Sequence, residues 1–373
     1  MIVGVPKEIK VQEYRVGMVP GGIKSLVQTG QQVLVEKGAG EGSGYRDAEY
    51  QAAGAEIVNS ATEVYERAEM IVKVKEPQPL EYGMLRRGQI LFCYLHLAAE
   101  PELTRALLDR AVNAIALETI QLDDGTLPCL APMSEIAGRM AVQIGAHYLQ
   151  RESGGAGVLL GGVPGVTPAL VTIIGAGQVG ANAARIAVGM NARVVIFDID
   201  LQKLAHLDEL YAGRLMTSMS DPDQIERFAP YSHLLIGAVL HPGGRAPVLV
   251  TEEMVRQMRR GSVIVDVSVD QGGCVETIHP TTHEEPTYIL HDVIHYGVSN
   301  MPGAVPRTST QALTNATLKY IHMITGEGLE HSLENHPPLA RGLNIYCPPG
   351  ECTGAVTCEP VALAHGLDHS PYS

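Results

Sequence analysis

The chain lacks any apolar stretch of the roughly 20 residues that a membrane-spanning helix requires, so no membrane span is expected. It also lacks a basic excess: 27 lysine and arginine residues stand against 41 aspartate and glutamate residues, for a net charge of −14. This charge argues against nucleic acid or an anionic membrane surface as the main partner. The N-terminus, MIVGVPKEIK, lacks the long apolar core of a signal peptide, so we expect a cytoplasmic location.

Zinc-type cysteine pairs are missing as well. The chain has six cysteines, three dispersed and three crowded in the C-terminal tail: Cys93, Cys129, Cys274, Cys347, Cys352 and Cys358. The tail spacings of four and five intervening residues do not form a C-x-x-C pair. We expect reduced, free thiols and no metal site; a metal held by the tail cysteines is the alternative.

The first 130 residues alternate apolar, strand-like runs with helical stretches. Strands are predicted at 3–5, 32–35, 71–74, 90–94 and 114–117, and helices near 20–29, 45–53, 60–68 and 101–111. This alternation predicts an α/β fold with a mostly parallel sheet and helices on both faces. No phosphate-binding glycine pattern occurs here, so this part is expected to hold something other than a dinucleotide.

A second α/β unit is predicted in the middle of the chain. A long helix over 132–150 leads into it, strands at 234–236 and 263–267 continue its sheet, and a long helix over 309–325 follows. At 373 residues the chain exceeds one typical core. We predict two Rossmann-like domains with a cleft between them: one domain made of 1–130 and 307–373, and a second domain inserted at 131–306.

The most informative stretch is 171–198, VTIIGAGQVGANAARIAVGMNARVVIFD. Gly175, Gly177 and Gly180 fit G-x-G-x-x-G between a β-branched run and an alanine-rich helix, and a second apolar run ends at Asp198. The glycines permit a tight turn, close approach of a pyrophosphate and close helix packing, while Asp198 can accept the ribose hydroxyls and repel a 2′-phosphate. The ordered set predicts NAD binding, so 131–306 is the predicted NAD-binding domain, and 1–130 with 307–373 is the predicted substrate domain. A glycine turn in some other α/β unit is the alternative.

Four further residues lie near the predicted carboxyl ends of strands, where ligands of open α/β sheets gather: Arg15, Lys75, His96 and Asp270. Each also has a structural interpretation. Arg15 and Lys75 can be solvated surface charges, and His96 can be a hydrogen-bonded core histidine. Asp270 can cap the glycine turn that follows it, and Asp266, within the preceding strand, is interpreted as structural.

Together, the four residues suit a dehydrogenase that acts on a small oxo acid. Cations bind the substrate carboxylate, and arginine offers a paired fork of donors. Histidine can exchange a proton at the oxygen or nitrogen of the reacting carbon near neutral pH. From the residues alone, the chain is interpreted as an NAD-dependent oxidoreductase with an undefined anionic substrate.

With these residues in view, the chain resembles the L-alanine dehydrogenase family from residue 1 to about residue 346. The stretches that carry the resemblance are VGVPKEIK, EYRV, EKGAGEGSG, VKVKEP, LFCYLHLA, LAPMSEIAGRMA, GGVPGV, DQGGCVET, PTTH and NMPGAVPRTST. The resemblance implies reversible oxidative deamination, in which L-alanine, NAD and water give pyruvate, ammonium and NADH. It also implies a homohexamer.

The resemblance implies roles for the matching positions. Arg15 and Lys75 hold the substrate carboxylate, and His96 and Asp270 form the catalytic pair. His96 is expected to face the carbonyl oxygen from the substrate domain, Asp270 to come from the nucleotide domain, and closure of the cleft to exclude water. The family's cofactor pattern falls on Ser134, Gln178, Val179, Asp198, Lys203, Ser220, Val239, Leu240, Val267, Asn300 and Met301.

Two places depart from the family pattern. His279 stands where many relatives carry an arginine that helps to bind the cofactor. The tail after Tyr346 fits poorly, because relatives usually end in a helix, and Pro348, Pro349 and Pro360 are expected to interrupt one.

Alternative functions follow from related architectures. The nearest is the NAD(H)-binding component of a proton-translocating transhydrogenase, which works with a membrane partner and needs no amino-acid site. Enzymes of lysine degradation and synthesis share the domain arrangement but usually differ around the YLH segment, and a non-catalytic NAD-binding sensor is a third alternative. The presence of Arg15, Lys75, His96 and Asp270 together favours the dehydrogenase.

Overall fold

The computed structural model describes residues 1–239 and 246–372, and within them the chain forms two compact units. The first unit consists of Met1–Met133 and of the chain from Val305 onward. The second unit is the intervening segment Ser134–Ala304. The second unit is therefore one continuous insertion into the chain of the first.

The first unit begins with strands that alternate with helices. They are β1 (Ile2–Val5), α1 (Pro20–Gln28), β2 (Gln32–Glu36), α2 (Asp47–Ala52), β3 (Glu56–Val58), α3 (Ala61–Arg67), β4 (Met70–Val72), α4 (Pro79–Tyr82), β5 (Ile90–Cys93), α5 (Pro101–Asp109) and β6 (Asn113–Ala116). Every strand and helix predicted in this part of the sequence is present. The sequence does not predict β3 or α4, because three and four residues are too few to show a hydrophobic period.

The predicted long helix, α6 (Ala131–Tyr148), begins in the first unit and continues into the second. The second unit then alternates strands and helices in the same way. They are β7 (Leu170–Ile174), α7 (Gln178–Gly189), β8 (Arg193–Asp198), α8 (Leu201–Tyr211), β9 (Met216–Met219), α9 (Pro222–Phe228), β10 (Leu234–Gly237), α10 (Glu252–Arg256), β11 (Val263–Asp266), β12 (Thr287–Leu290) and β13 (Val293–Tyr296).

The chain returns to the first unit with its second long helix. The elements are α11 (Pro306–Glu327), α12 (Leu329–Asn335), α13 (Pro337–Gly342), β14 (Leu343–Tyr346), β15 (Ala355–Val356) and α14 (Glu359–His365). The expectation that Pro360 interrupts a tail helix is wrong. Pro360 lies in the first turn of α14, where a backbone N–H has no acceptor within the helix, so proline fits there without loss of a hydrogen bond.

Short 3-10 helices follow several strands and connect other elements. They are Glu41–Ser43, Leu97–Ala99, Leu117–Thr119, Arg151–Ser153, Ala229–Tyr231, Val269–Gln271 and Met301–Ala304. None of the helices in the described part of the chain is long and apolar enough to span a membrane. All six cysteines are unpaired.

The sheet of the first unit has eight strands in the order β15-β14-β6-β5-β4-β1-β2-β3. The six strands from β6 to β3 are parallel, whereas β14 and β15 are antiparallel additions at one edge. Since β1, β4 and β5 are adjacent and parallel, the loops that follow them leave the same edge of the sheet. The segments that carry Arg15, Lys75 and His96 are these three loops.

The sheet of the second unit has seven strands in the order β12-β13-β11-β10-β7-β8-β9. All are parallel except β12, which pairs antiparallel with β13. Strand order runs in opposite directions from β7 and from β10, so the carboxyl ends of these two strands flank a topological switch point. Helices cover both faces: Ile173 packs in a core with residues of α6 and α7, whereas Ile174 packs with residues of α10.

His295 is a buried histidine on β13 that holds its ring in the neutral form. Its Nδ1 lies 3.0 Å from the Val293 carbonyl oxygen, and its Nε2 lies 2.8 Å from Thr277 Oγ1. The Tyr288 ring stacks on it with 4.9 Å between ring centroids. Burial lowers the pKa of His295 to about 4.

Because this pKa is lower when the protein is folded, His295 is expected to make unfolding easier in mild acid. The contribution of the neutral His295 ring to the free energy of unfolding is present above the unfolded pKa of about 6.5. It is lost as the pH falls from there toward 4. At pH 5 the loss is about 2 kcal/mol. We predict that His295→Asn loses less unfolding free energy than the wild type between pH 7.5 and pH 5, as measured by urea titration. His206→Asn, an exposed histidine on α8, is the control; an identical pH dependence in His295→Asn and the wild type contradicts the prediction.

Candidate active site

Arg15 forms a buried fork-to-fork ion pair with Glu13. Its Nε donates to Glu13 Oε1 at 2.6 Å and its Nη2 to Glu13 Oε2 at 2.5 Å, while Nη1 lies 3.2 Å from Met133 Sδ. The Arg15 residue is only 2% exposed, so the interpretation as a solvated surface charge is wrong. Burial by itself lowers the pKa of Arg15, but the hydrogen bonds and charge of Glu13 more than reverse this, so the pKa is raised.

Lys75 differs from Arg15 because no carboxylate balances its charge within ion-pair distance among the described residues. The chain bends at residues 74–75 after β4, and the Lys75 side chain is half-buried. Burial and the neighbouring charge of Arg15 lower the pKa of Lys75. The next cation, Lys10, is paired with Glu76. Arg15 and Lys75 thus form a cationic pair in which one member lacks a counter-ion.

Lys73, two residues earlier, has the opposite environment. Its Nζ lies 3.2 Å from Glu8 Oε2 and 3.0 Å from Glu81 Oε1, and all three side chains are buried. The second Glu8 oxygen accepts the Val74 N–H at 2.6 Å. The first lysine of VKVKEP is therefore structural. The predicted strand at 71–74 contains Lys73 and ends just before Lys75, which agrees with a structural role for Lys73.

His96 lies just beyond β5, and its side chain is 47% exposed. The interpretation as a core histidine is therefore wrong. Its backbone is in the left-handed region, with φ of 50°. Its ring is nearly parallel to that of Tyr94, with 6.2 Å between centroids, and the Tyr94 hydroxyl donates to the Cys129 carbonyl at 2.6 Å.

Glu118 is a residue of this site that the sequence analysis missed. Its Oε1 accepts the His96 N–H at 2.6 Å, and its two oxygens accept the Leu95 N–H at 3.2 and 3.3 Å. The same carboxylate lies 3.9 Å from His96 Nδ1. Glu118 follows β6, the strand beside β5, and its place at the carboxyl end of a parallel strand is the sequence signal that could have found it.

In the second unit, the glycine motif makes the turn from β7 into α7. Gly175 has a φ of 103°, which L side chains rarely adopt. A Cβ at Gly180 is 1.7 Å from the Gly175 carbonyl oxygen, so only glycine lets the helix approach its strand this closely. A Cβ at Gly177 meets no atom within 4 Å. The space at Gly177 lies at the first turn of α7, where free N–H groups favour an anion.

Asp198 ends β8 and holds this turn from the neighbouring strand. Its Oδ2 accepts the Ala176 N–H at 2.6 Å and its Oδ1 accepts the Asp200 N–H at 2.9 Å. Each oxygen keeps a further lone pair, so ribose hydroxyls can still donate to it. Lys203 Nζ lies 3.7 Å from Asp200 Oδ2, so among the described residues its ion pair is with Asp200 and not with Asp198.

The other residues of the predicted cofactor set follow the carboxyl ends of the second sheet or lie on adjoining helices. Gln178 and Val179 form the first turn of α7, and Ser134 lies on α6. Ser220 directly follows β9, Val239 lies just after β10, and Val267 directly follows β11. Asn300 and Met301 follow β13. Leu240 lies outside the described residues.

Asp266 is structural, as the sequence suggested, and it holds the loop on which Asp270 lies. Asp266 is fully buried and accepts three backbone N–H groups, from Ser268 at 2.9 Å, Cys274 at 2.8 Å and Val275 at 3.1 Å. Asp270 lies on the loop that Asp266 holds. Its side chain is exposed, and no hydrogen-bond or ion-pair partner for it occurs in the described part of the chain.

His279, the departure from the family pattern, lies against an aromatic ring. The His279 ring stacks on the Tyr288 ring with 3.9 Å between centroids, and the backbone N–H of His279 donates to the Tyr288 hydroxyl at 3.1 Å. Tyr288 in turn stacks on His295. A histidine thus completes a stack of three rings at a position where an arginine is common.

The sequence matches two family models that together cover most of its length. The model described as "Alanine dehydrogenase/PNT, N-terminal domain" matches residues 4–137, and "Alanine dehydrogenase/PNT, C-terminal domain" matches residues 141–353. The chain belongs to the alanine dehydrogenase/PNT family. The family predicted from the sequence is confirmed.

Relatives of known name agree across the whole chain. It is 54% identical to the alanine dehydrogenase of Methanococcus maripaludis, covering 100% of this chain and 98% of that protein. It is 52% identical to alanine dehydrogenase 2 of Staphylococcus aureus, covering 99% and 98%. A solved structure named L-alanine dehydrogenase superposes with a TM-score of 0.94 at 51% identity, covering 98% of this chain and 99% of that one.

The transhydrogenase alternative is much less similar. The structure of a transhydrogenase from Sinorhizobium meliloti superposes with a TM-score of 0.78 at 24% identity, covering 88% of this chain and 94% of that one. This likeness shows a shared fold. The alanine dehydrogenase branch of the family is the one to which the chain is most similar among these comparisons.

The contact at Gly180 predicts a large loss of stability from one added methyl group. Gly180→Ala forces the methyl against the Gly175 carbonyl oxygen, and overpacking of this kind costs about 1–3 kcal/mol or more. We expect the melting temperature to fall by about 5 °C or more in calorimetry. Gly189→Ala, at the other end of α7 where a Cβ meets no atom within 4 Å, is the matched control and should leave it unchanged. Equal melting temperatures for the two variants contradict the assigned contact.

Proposed function

We propose that the protein catalyses the NAD-dependent oxidative deamination of L-alanine to pyruvate and ammonium, and the reverse reductive amination. The observation that carries the proposal is the cationic pair of Arg15 and Lys75, in which Lys75 has no carboxylate partner among the described residues. Lys75 follows β4, which lies between β1 and β5 in the sheet, and Arg15 and His96 lie on the loops after these two neighbours. A small anionic substrate with a reactive carbon beside its carboxylate suits this arrangement.

Charge balance supports binding of the substrate carboxylate by this pair. A half-buried ammonium without a counter-ion is costly, and a carboxylate ligand removes that cost. Glu13 already balances Arg15, so the net positive charge of the pair resides on Lys75. Arg15 contributes directional N–H donors, and Lys75 contributes the uncompensated charge.

His96 and Asp270 are proposed as the catalytic residues. His96 is exposed, its backbone is fixed by Glu118, and its imidazole can give or take a proton at the oxygen on the reacting carbon. Asp270 is an exposed carboxylate at the carboxyl edge of the second unit's sheet, and its catalytic role rests on the family resemblance. Together they manage the protons of water addition and ammonia loss.

The second unit fits a dinucleotide. The open space at Gly177 suits a pyrophosphate at the N-terminus of α7, and Asp198 suits the ribose hydroxyls while its charge disfavours a 2′-phosphate. When bound, NAD accepts the hydride from the substrate. The further contacts proposed for it are Ser134, Gly175, Gln178, Val179, Gly180, Lys203, Ser220, Val239, Leu240, Val267, Asn300 and Met301. From the family resemblance we also propose a cytoplasmic homohexamer.

The activity is tested by adding pyruvate and ammonium to the purified protein with NADH. We predict oxidation of NADH, followed by its absorbance, and formation of L-alanine. His96→Ala is expected to lower kcat by about 100-fold or more, the usual contribution of a general acid–base group, with little change in NADH affinity. The exposed His206→Ala on α8 is the control and should retain full activity.

Two outcomes contradict the proposal. If NADH is stable with pyruvate and ammonium but reduces a thionicotinamide nucleotide, the protein exchanges hydride between nucleotides instead. If His96→Ala retains near-normal turnover, the assigned role of His96 is wrong.

Cofactor preference is tested at Asp198. Asp198→Asn keeps the side-chain shape but removes the charge that repels a 2′-phosphate. We expect the NADPH dissociation constant, divided by the NADH dissociation constant, to fall by about tenfold. This change is the equivalent of one charge-assisted hydrogen bond. Asp208→Asn, exposed on α8, is the control. An unchanged ratio in Asp198→Asn, measured by nucleotide fluorescence, contradicts the ribose assignment.

A further inference from the structure

The loop that carries His96 has a backbone conformation that its own sequence does not favour. His96 has φ of 50° and ψ of 36°, a left-handed conformation that residues other than glycine rarely adopt. Such a conformation persists only when the surrounding contacts fix it. The contacts around Leu95–Ala99 therefore decide where the imidazole points.

Glu118 fixes the N-terminal side of this loop. It accepts the N–H groups of Leu95 and His96 from the neighbouring strand end. These hydrogen bonds fix the backbone on the N-terminal side of the His96 side chain. Other contacts must fix the path of the chain after His96.

The carbonyl group of Leu97, the residue after His96, receives three donors. Glu100 N–H donates at 3.0 Å and Thr104 Oγ1 at 3.1 Å, and both residues belong to the segment that directly follows the loop. The third donor is His365 Nε2 at 2.7 Å, from the C-terminal tail. Of these three donors, His365 is the one that comes from a distant part of the chain.

The tail that carries His365 is itself anchored to the sheet. Thr357 N–H donates to the Asn344 carbonyl at 3.0 Å and Thr357 Oγ1 to the Leu343 carbonyl at 2.7 Å, so the tail is bound to β14. Val361 and Ala362 of α14 are buried in the same core as Leu97. His365 therefore links the loop of His96 to the edge of the sheet at β14.

We propose that residues 355–366 form a C-terminal brace and that His365 is a positioning residue for His96. The brace lies beyond residue 353, where the matching family models end. Its effect on turnover rests on the proposed function, because His96 is the proton-transfer group there. His365 does not contact the substrate; it keeps the imidazole where proton transfer is efficient, and small misplacements of such groups reduce rate strongly.

The test compares variants of His365 in the full-length protein. His365→Ala is expected to lower kcat for pyruvate amination about five- to tenfold while KM for pyruvate and NADH affinity stay within about twofold, because Arg15 and Lys75 are untouched. His365→Gln, which keeps an N–H donor on a side chain of similar reach, should recover at least half of the loss. The matched control is His369→Ala, since His369 Nε2 contacts the Thr357 carbonyl at 3.1 Å in the same tail.

A second readout does not need turnover. The rate at which diethyl pyrocarbonate modifies His96, followed by peptide mass, should change at least twofold in His365→Ala and remain unchanged in His369→Ala, with melting temperatures equal to the wild type. The brace is overturned if His365→Ala keeps the wild-type kcat and the wild-type modification rate, or if His365→Gln is as impaired as His365→Ala. It is also overturned if His369→Ala is equally impaired. Wild-type protein that fails to aminate pyruvate contradicts the proposed function alone, and the modification rates then decide the brace.

Discussion

The buried ion group of Lys73, Glu8 and Glu81 is the interaction on which the first unit's site depends. It joins the loop after β1 to the end of β4 and to α4, and the Tyr65 hydroxyl of α3 also donates to Glu81. The charges of Glu8 and Glu81 outweigh burial and raise the pKa of Lys73, so its ammonium stays charged. Removing one partner of such a group typically costs about 3–5 kcal/mol because a buried charge is left unbalanced. Glu8 also binds the Val74 N–H, which fixes the bend before Lys75.

The same kind of contact recurs at four loops that leave the carboxyl ends of strands. Glu8, Glu118, Asp198 and Asp266 each accept backbone N–H groups of such a loop. A carboxylate that accepts backbone donors forms hydrogen bonds stronger than neutral ones and fixes a segment that has no ladder partners. The residues proposed to bind or react, Lys75, His96 and Asp270, lie on these fixed loops. Rigid support of exposed groups is the common plan of both sheets.

Most of the fold was predictable because hydrophobic period and glycine spacing are local signals. The turn at Gly175 and the ends of α6 and α11 follow from such signals within a few residues. The missed features are non-local. Glu118 acts on His96 across adjacent strands, and Lys73 is paired with Glu8, which lies on the loop after a different strand. Pro360 looked like a helix breaker because its place within the helix, and not its presence, decides its effect.

The insertion of one unit into the other has a consequence for biosynthesis. The second unit is a continuous segment, so all of its parallel strands leave the ribosome together and it can fold as soon as it is complete. The first unit cannot complete its sheet until the C-terminal part of the chain has been synthesised. The β6 edge has no partner on that side until β14 has been made, more than 220 residues later, and unpaired edges invite wrong pairings. The β6 edge of the nascent N-terminal segment is therefore open to wrong pairings until β14 has been made.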